Sequence, residues 1–106
     1  MPSKETVPLL RDQILERLKN IVLAETADAN VKVYLFGSWA RGEERRASDI
    51  DIALDWIDGA PPGRMARLRE ILTESDVPFR VDVVDLSTAG EVLASKVAKE
   101  GVLWKG

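Results

Sequence analysis

Three aspartates lie on segments that otherwise have the composition of buried β-strands. Asp49 and Asp51 alternate with large aliphatic residues in DIDIAL, and Asp82 alternates with valines in VDVVDL. Residues two apart on a strand share one face and lie roughly 6.5 Å apart, so the carboxylates of Asp49 and Asp51 can converge on one point. They repel each other there unless a cation lies between them, and Mg²⁺ commonly combines one or two carboxylates with water and substrate phosphates.

The three acids together indicate a site for phosphoryl transfer. If the strand of Asp82 pairs beside the strand of Asp49 and Asp51, the carboxylates could hold two metal ions roughly 3.5 to 4 Å apart, which stabilise both the attacking and the leaving oxygen. Asp82 could also accept the proton of an attacking hydroxyl. The structural alternative is a solvated sheet face on which Asp82 pairs with Arg80, and Asp85 is a weaker candidate for the third ligand.

A glycine-serine turn ten residues ahead of the aspartates could supply the other half of such a site. Gly37 has no side chain to keep a phosphate from the backbone, and Ser38 begins a short helix whose free amides favour an anion. A triphosphate could bind there. Arg41, one helical turn later, and Arg45 or Arg46 could add positive charge near the leaving pyrophosphate.

The residues around this turn also have structural interpretations. The Gly-Ser pair could be an ordinary helix N-cap, and Arg41 could form a surface ion pair with Glu44. Trp39, Trp56 and Trp104 could stack on a base or anchor a partner, but packing in the core or at its rim is the favoured role for each.

Hydrophobic periodicity predicts the elements that must position these residues. Helices are predicted over 6–25, 38–41, 64–75 and from about 88 to Gly101, and strands over 31–36, 49–54 and 79–86, with VLW near the end as a short edge strand or packed tail. The first helix carries an apolar stripe formed by Val7, Leu10, Ile14, Leu18 and Ile21, and Leu10, Ile14 and Leu18 are predicted to lie in the core. Thr88 and Glu91 have capping-box spacing for the last helix, whose predicted inward residues are Val92, Leu93 and Val97. We expect an α/β (α+β) fold, a small mixed sheet flanked by helices, as one domain over residues 1–106.

Composition narrows the possible functions. The 106 residues suffice for one packed domain, and without cysteine or histidine the chain has no thiolate chemistry, no histidine base and no histidine-bound metal. A net charge of −3 argues against general nucleic-acid binding, which depends on many phosphate contacts. The longest apolar runs are far shorter than a membrane span and the first residues lack a secretory signal, so we expect a cytoplasmic protein.

The pattern resembles the minimal nucleotidyltransferases (MNT family) of the polymerase β-like superfamily. The resemblance lies in GSWARGEERRASDIDI and VDVVDL, where the features of the family fall on Gly37, Ser38, Arg41, Gly42, Ser48, Asp49, Asp51 and Asp82. It implies the nucleotidyltransferase fold, a nucleotide site at Gly37, Ser38, Arg41 and Ser48, and catalytic, metal-binding carboxylates. The implied reaction is Mg²⁺-dependent transfer of a nucleoside monophosphate, with ATP as the expected donor and pyrophosphate as the product.

Stand-alone members of this size resemble the antitoxins of HEPN/MNT toxin-antitoxin pairs. The resemblance therefore implies a HEPN-domain ribonuclease toxin as partner, which the antitoxin adenylylates on a hydroxyl side chain or blocks by binding alone. A third alternative is a small-molecule nucleotidyltransferase that acts as a homo-oligomer. In each case a second subunit or another protein must provide the acceptor platform, because the chain lacks the added helical domain of larger relatives.

Overall fold

The computed structural model describes residues 2–106, with side chains described from Leu10 onward. Four helices and four strands alternate in the order α1, β1, α2, β2, α3, β3, α4, β4. The helices are α1 Pro2–Glu25, α2 Ser38–Arg41, α3 Arg64–Glu74 and α4 Glu91–Glu100. The strands are β1 Val31–Phe36, β2 Ile50–Trp56, β3 Val81–Asp85 and β4 Val102–Lys105. The predicted order of elements and the mixed α/β class are confirmed.

The strands form one sheet in the order β3-β2-β1-β4. Strand β1 is antiparallel to both β2 and β4, whereas β2 and β3 are parallel and joined by α3. The VLW segment is therefore the edge strand β4. Because strands β2 and β3 run in the same direction, residues that share a face on each strand meet at the same level of the sheet.

The two faces of the sheet are packed by different helices. Helices α1 and α3 cover one face through Leu18, Val22, Leu68 and Leu72, and this cluster contains most of the buried aliphatic residues of the strands. Helix α4 covers part of the opposite face, where Val97 packs with Phe36 and Ala53. Trp39 and Trp56 are buried and Trp104 is half-buried, as predicted.

Helix α1 buries less of its apolar stripe than the sequence predicts. Leu18 is fully buried and Ile14 half-buried, but Leu10 is 55% exposed, so its assignment to the core is wrong. At 24 residues α1 is about 36 Å long, whereas the longest strand has 7 residues and spans roughly 23 Å. The helix therefore extends beyond the surface that could cover it. The side chain of Val7 lies outside the described residues.

The start of α4 also differs from the prediction. Gly90 is the N-cap and makes no side-chain capping bond, so the capping box at Thr88 and Glu91 is wrong. The Thr88 hydroxyl instead donates to the carbonyl of Asp85 at 3.2 Å, within the preceding turn. Leu93 and Val97 face the sheet as predicted, but Val92 is 89% exposed because it lies about 100° around the helix from Leu93.

No helix within residues 2–106 is long and apolar enough to cross a membrane.

Candidate active site

The pairing of β2 and β3 brings Asp51 and Asp82 together. The two residues are register partners in the parallel ladder, so their side chains leave the same face of the sheet beside each other. Asp49 lies just before β2 and approaches Arg80, with 3.9 Å between Asp49 Oδ2 and Arg80 Nε. Arg80 thus contacts Asp49 rather than Asp82.

Asp85, the alternative third ligand, lies on the other face of β3. Its Oδ1 accepts hydrogen bonds from the amide and hydroxyl of Ser87, at 2.9 and 2.6 Å, and so closes the turn after the strand. The alternation of β3 explains this difference, because residues 82 and 85 are an odd number of positions apart. Asp82, and not Asp85, lies beside Asp51.

The Gly-Ser turn packs directly against Asp51. Gly37 follows β1, which pairs with β2 so that Phe36 lies opposite Asp51. Gly37 has φ 79° and ψ −158°, a conformation that is essentially restricted to glycine. A Cβ on Gly37 would overlap Oδ2 of Asp51 and lie 3.1 Å from its Cγ. The bare backbone at Gly37 is therefore what leaves room for the carboxylate, and Ser38 begins α2 immediately after it.

Burial and like charge both act on the carboxyl of Asp51. Partial burial is the largest cause that raises the pKa of Asp51, and the negative charges of Asp82 and Asp49 raise it further. The positive charges of Lys96 and Arg41 lower this pKa and offset part of the effect. The site therefore favours either a proton on Asp51 or a cation that neutralises the three acids.

The raised pKa of Asp51 predicts a pH dependence of stability in EDTA. The folded chain binds this proton more tightly than the unfolded chain, whose pKa is about 3.9. The stabilisation is thus complete below that value and is lost as the pH rises through the raised folded pKa. We expect thermal unfolding between pH 4 and 8 to show this loss, and Asp51→Asn to remove it, with a difference of about a few degrees. Parallel pH profiles for the two proteins would contradict this assignment.

Arg41 is held at the side of the site by two carboxylates. Its Nε lies 2.9 Å from Glu43 Oε1 and its Nη1 lies 2.8 Å from Glu100 Oε1, so the guanidinium links α2 to the end of α4. These hydrogen bonds raise the pKa of Arg41. The predicted alternative, an ion pair of Arg41 with Glu44, is wrong, because Glu44 pairs with Arg11 instead.

The loop between α2 and β2 is held by a hydrogen bond within the loop and by one from Trp39 of α2. The Ser48 hydroxyl accepts a hydrogen bond from the Arg45 amide at 2.8 Å, and the Ser48 carbonyl accepts one from Trp39 Nε1 at 3.3 Å. Ser48 thus shapes the approach to Asp49, and its hydroxyl is engaged within the loop. Arg45 and Arg46 are both exposed.

Sequence reasoning missed Arg11, which connects α1 to this loop. Arg11 Nε donates to Glu44 Oε2 at 2.7 Å, a second nitrogen donates to the Trp39 carbonyl, and the guanidinium lies 5.8 Å from the centroid of the Trp39 ring. Sequence reasoning also missed Lys96 of α4, whose positive charge lowers the pKa of Asp51. Neither has a local signal, because their partners lie more than 25 residues away in the sequence.

The arrangement is consistent with a cation that is shared with a bound nucleotide. Within residues 10–106, no three acidic side chains lie close enough together to form a ready-made metal site. Mg²⁺ does not require such a cage, because it usually combines one or two carboxylates with water and substrate phosphates. The oxygen-only donor set and the unfavourable ionisation of Asp51 both fit a divalent ion that binds together with a triphosphate.

The fold and this site define the class of protein. The family model for polymerase β, nucleotidyltransferase, matches residues 9–105, and the chain belongs to this family. The resemblance to minimal nucleotidyltransferases that the motifs predict is thus confirmed. Among its relatives is the protein adenylyltransferase MntA of Shewanella oneidensis, 40% identical over 76 residues. The alignment covers 68% of this chain and 52% of the relative, so the chain spans about half the length of that protein.

Solved structures with a similar fold come from toxin-antitoxin complexes. A crystal structure of a toxin-antitoxin with AMP-PNP contains a chain with a TM-score of 0.69 and 33% identity, covering 83% of this chain and 73% of that chain. A structure of a tri-AMPylated Shewanella oneidensis HEPN toxin with an MNT antitoxin contains a chain with a TM-score of 0.63 and 29% identity, covering 86% and 71%. These similarities confirm the nucleotidyltransferase fold.

Proposed function

We propose that this domain transfers AMP from ATP to a hydroxyl side chain of a partner protein, a HEPN-domain ribonuclease toxin. The observation that carries the proposal is the row formed by Gly37, Asp51 and Asp82, which places the Gly-Ser turn and two carboxylates side by side on neighbouring strands. The names of the similar adenylyltransferase and the toxin complexes support the choice of AMP and of the partner.

The triphosphate would bind at the start of α2. The Ser38 amide and hydroxyl offer donors to phosphate oxygens, beside the Asp51 carboxylate that packs against Gly37. Arg41 is near enough to Asp51 that its positive charge lowers the pKa of Asp51. Phosphate oxygens would compete with Glu43 and Glu100 for the Arg41 guanidinium. Ser48 would hold the loop that positions Asp49.

Asp49, Asp51 and Asp82 would bind one or two Mg²⁺ ions. When bound, Mg²⁺ neutralises charge on the triphosphate and on the leaving group. Without a cation the three carboxylates repel the phosphates, so they admit a triphosphate only together with a cation.

In the transfer step the acceptor hydroxyl oxygen attacks the α-phosphorus of ATP. The bond between this oxygen and phosphorus forms as the bond from the α-phosphorus to the bridging α,β-oxygen breaks, and pyrophosphate leaves. The hydroxyl proton passes to Asp82, which later releases it to water. The products are the AMP ester of the partner, pyrophosphate and a proton.

The proposal is tested with the product of the neighbouring gene as the acceptor. After incubation with ATP and Mg²⁺, we expect the intact mass of the partner to rise by one or more AMP units, only when both are present. EDTA should abolish the change. If this chain neutralises the toxin without any change in its mass, the antitoxin acts by binding alone and the transfer proposal is wrong.

A further inference from the structure

A groove runs along the open edge of β3 on the side of α3, and Asp82, whose carboxylate leaves the opposite face of the sheet, borders the groove at this edge. We call it the edge groove: it is lined by Arg69, Leu72, Thr73, Val77, Phe79, Arg80, Val81, Asp82 and Val83, and its volume is about 410 Å³. Leu72 and Phe79 give it an apolar floor. Since β3 is the last strand of the sheet on this side, no further strand within residues 2–106 covers the groove.

The order of the strands indicates the side on which pyrophosphate leaves and the side from which the acceptor hydroxyl approaches. Gly37 at the end of β1, Asp51 on β2 and Asp82 on β3 lie in sequence across the sheet. An in-line displacement needs the attacking and leaving oxygens on opposite sides of the phosphorus. If the triphosphate binds at Gly37, pyrophosphate leaves on the β1 side, and the acceptor hydroxyl must approach from the β3 side, where the edge groove opens.

The charged residues that line the edge groove are two arginines and Asp82. Arg69 donates from Nε and Nη2 to the carbonyl of Val83, at 3.3 and 3.0 Å, which fixes its guanidinium at the edge of β3. Among the side chains from residue 10 onward, none forms an ion pair with Arg69 within 4.0 Å. Arg80 is exposed and has only the 3.9 Å contact with Asp49. A fixed cation without a carboxylate partner favours an anion.

We propose that the edge groove binds the acceptor segment of the partner protein and that Arg69 recognises an acidic side chain adjacent to the acceptor hydroxyl. The apolar floor accepts apolar side chains of the segment, and the acceptor residue passes the edge of β3 so that Asp82, on the opposite face, receives its proton. Because Arg69 already occupies the Val83 carbonyl, the segment binds through its side chains rather than by adding a strand to the sheet. This inference rests on the proposed function and assigns its acceptor site.

The test compares Arg69→Gln with Arg69→Lys and with Arg67→Gln, using the toxin of the neighbouring gene and ATP. Arg67 is the matched control because it lies on the same helix and points to Glu25, at 3.6 Å. We expect Arg69→Gln to raise the KM for the toxin about tenfold with little change in the KM for ATP. Arg69→Lys should restore part of the affinity, and Arg67→Gln should behave as the parent protein.

A second arm identifies the anion. Once the modified residue of the toxin is located by mass spectrometry, the acidic residues beside it are changed to amides. This toxin variant should be a poor acceptor for the parent protein, and Arg69→Gln should weaken its modification no further. If the modified residue has no acidic neighbour, or if only second and later AMP additions depend on Arg69, the anion is not a side chain of the partner and the assignment is wrong.

The outcomes separate this inference from the proposed function. If the parent protein transfers AMP and Arg69→Gln has an unchanged KM for the toxin, the edge groove assignment is wrong and AMP transfer is established. A loss of ATP affinity equal to the loss of toxin affinity also overturns it, since Arg69 would then act on the nucleotide or on the fold. Absence of transfer by the parent protein overturns both proposals.

Discussion

Asp51→Asn is expected to reduce AMP transfer by roughly a thousandfold or more while leaving the domain folded. The reason is that Asp51 lies between the Gly-Ser turn and Asp82, so it can bind a cation shared by both halves of the site. A bound divalent cation contributes several kcal/mol of transition-state stabilisation, and each 1.36 kcal/mol changes the rate tenfold. The measurement is the rate of AMP incorporation into the partner at saturating ATP and Mg²⁺.

The matched control is Asp55→Asn. Asp55 lies on the same strand and face four residues later, where it is the register partner of Lys32 and is distant from the Gly-Ser turn. We expect transfer to be unchanged in this variant. Thermal unfolding in EDTA provides a second readout. Burial disfavours the ionised form of Asp51, so Asp51→Asn should raise the midpoint of thermal unfolding at neutral pH. Comparable losses of activity in both variants would mean that Asp51 has no special role.

Alternation along the strands made part of the site predictable. Because successive side chains point to opposite faces, DIDIAL and VDVVDL place Asp51 and Asp82 on definite faces of their own strands. The helical segment between these strands favours a parallel pair. The direct register of Asp51 with Asp82 needed the structure, since register depends on how α3 packs across the sheet.

Side-chain partners far apart in sequence could not be predicted in the same way. The ion pair of Arg11 with Glu44 joins residues 33 positions apart, and that of Arg41 with Glu100 joins residues 59 positions apart. Glu44 was the predicted surface partner of Arg41. In the structure Glu44 pairs with Arg11, and Arg41 pairs with Glu43 and Glu100.

Local capping and burial rules failed where the ends of helices lie outside the packed layer. Periodicity gives the face of a helix that is apolar, but the extent of the surface opposite it decides which residues are buried. Leu10 and Leu18 belong to one stripe, yet only Leu18 lies over the sheet. Val92 is exposed for a different reason, because it lies about 100° around α4 from Leu93, which packs with the Phe36 cluster.

The network of Arg11 gives α1 a role in the active site. Arg11 contacts the carbonyl of Trp39 in α2 and the carboxylate of Glu44, and Trp39 in turn holds the Ser48 carbonyl just before Asp49. The loop that separates the Gly-Ser turn from the aspartates is therefore positioned by a helix on the opposite side of the sheet. A rigid loop of this kind keeps the two halves of the site in register while substrates bind.

Gly37→Ala is expected to abolish AMP transfer and to lower the stability of the folded domain. Of these variants it should have the largest effect on activity and stability together. Two costs add at this position. The conformation with φ 79° and ψ −158° is strained for alanine, by about 1–3 kcal/mol. The new Cβ would also overlap Oδ2 of Asp51 and lie 3.3 Å from its Cβ, so either the carboxylate or the turn must move. The measurements are AMP incorporation and thermal unfolding.

Gly90→Ala separates these two costs. Gly90 precedes α4 as Gly37 precedes α2, with φ 90° and ψ 166°, but a Cβ at Gly90 would meet no atom within 4 Å. We expect Gly90→Ala to lower the unfolding midpoint through backbone strain while AMP transfer continues below that midpoint. Gly37→Ala should lose transfer even at temperatures where it remains folded, because the added methyl displaces the carboxylate. If Gly37→Ala retained transfer, the close contact of the turn with Asp51 would not be part of the catalytic arrangement.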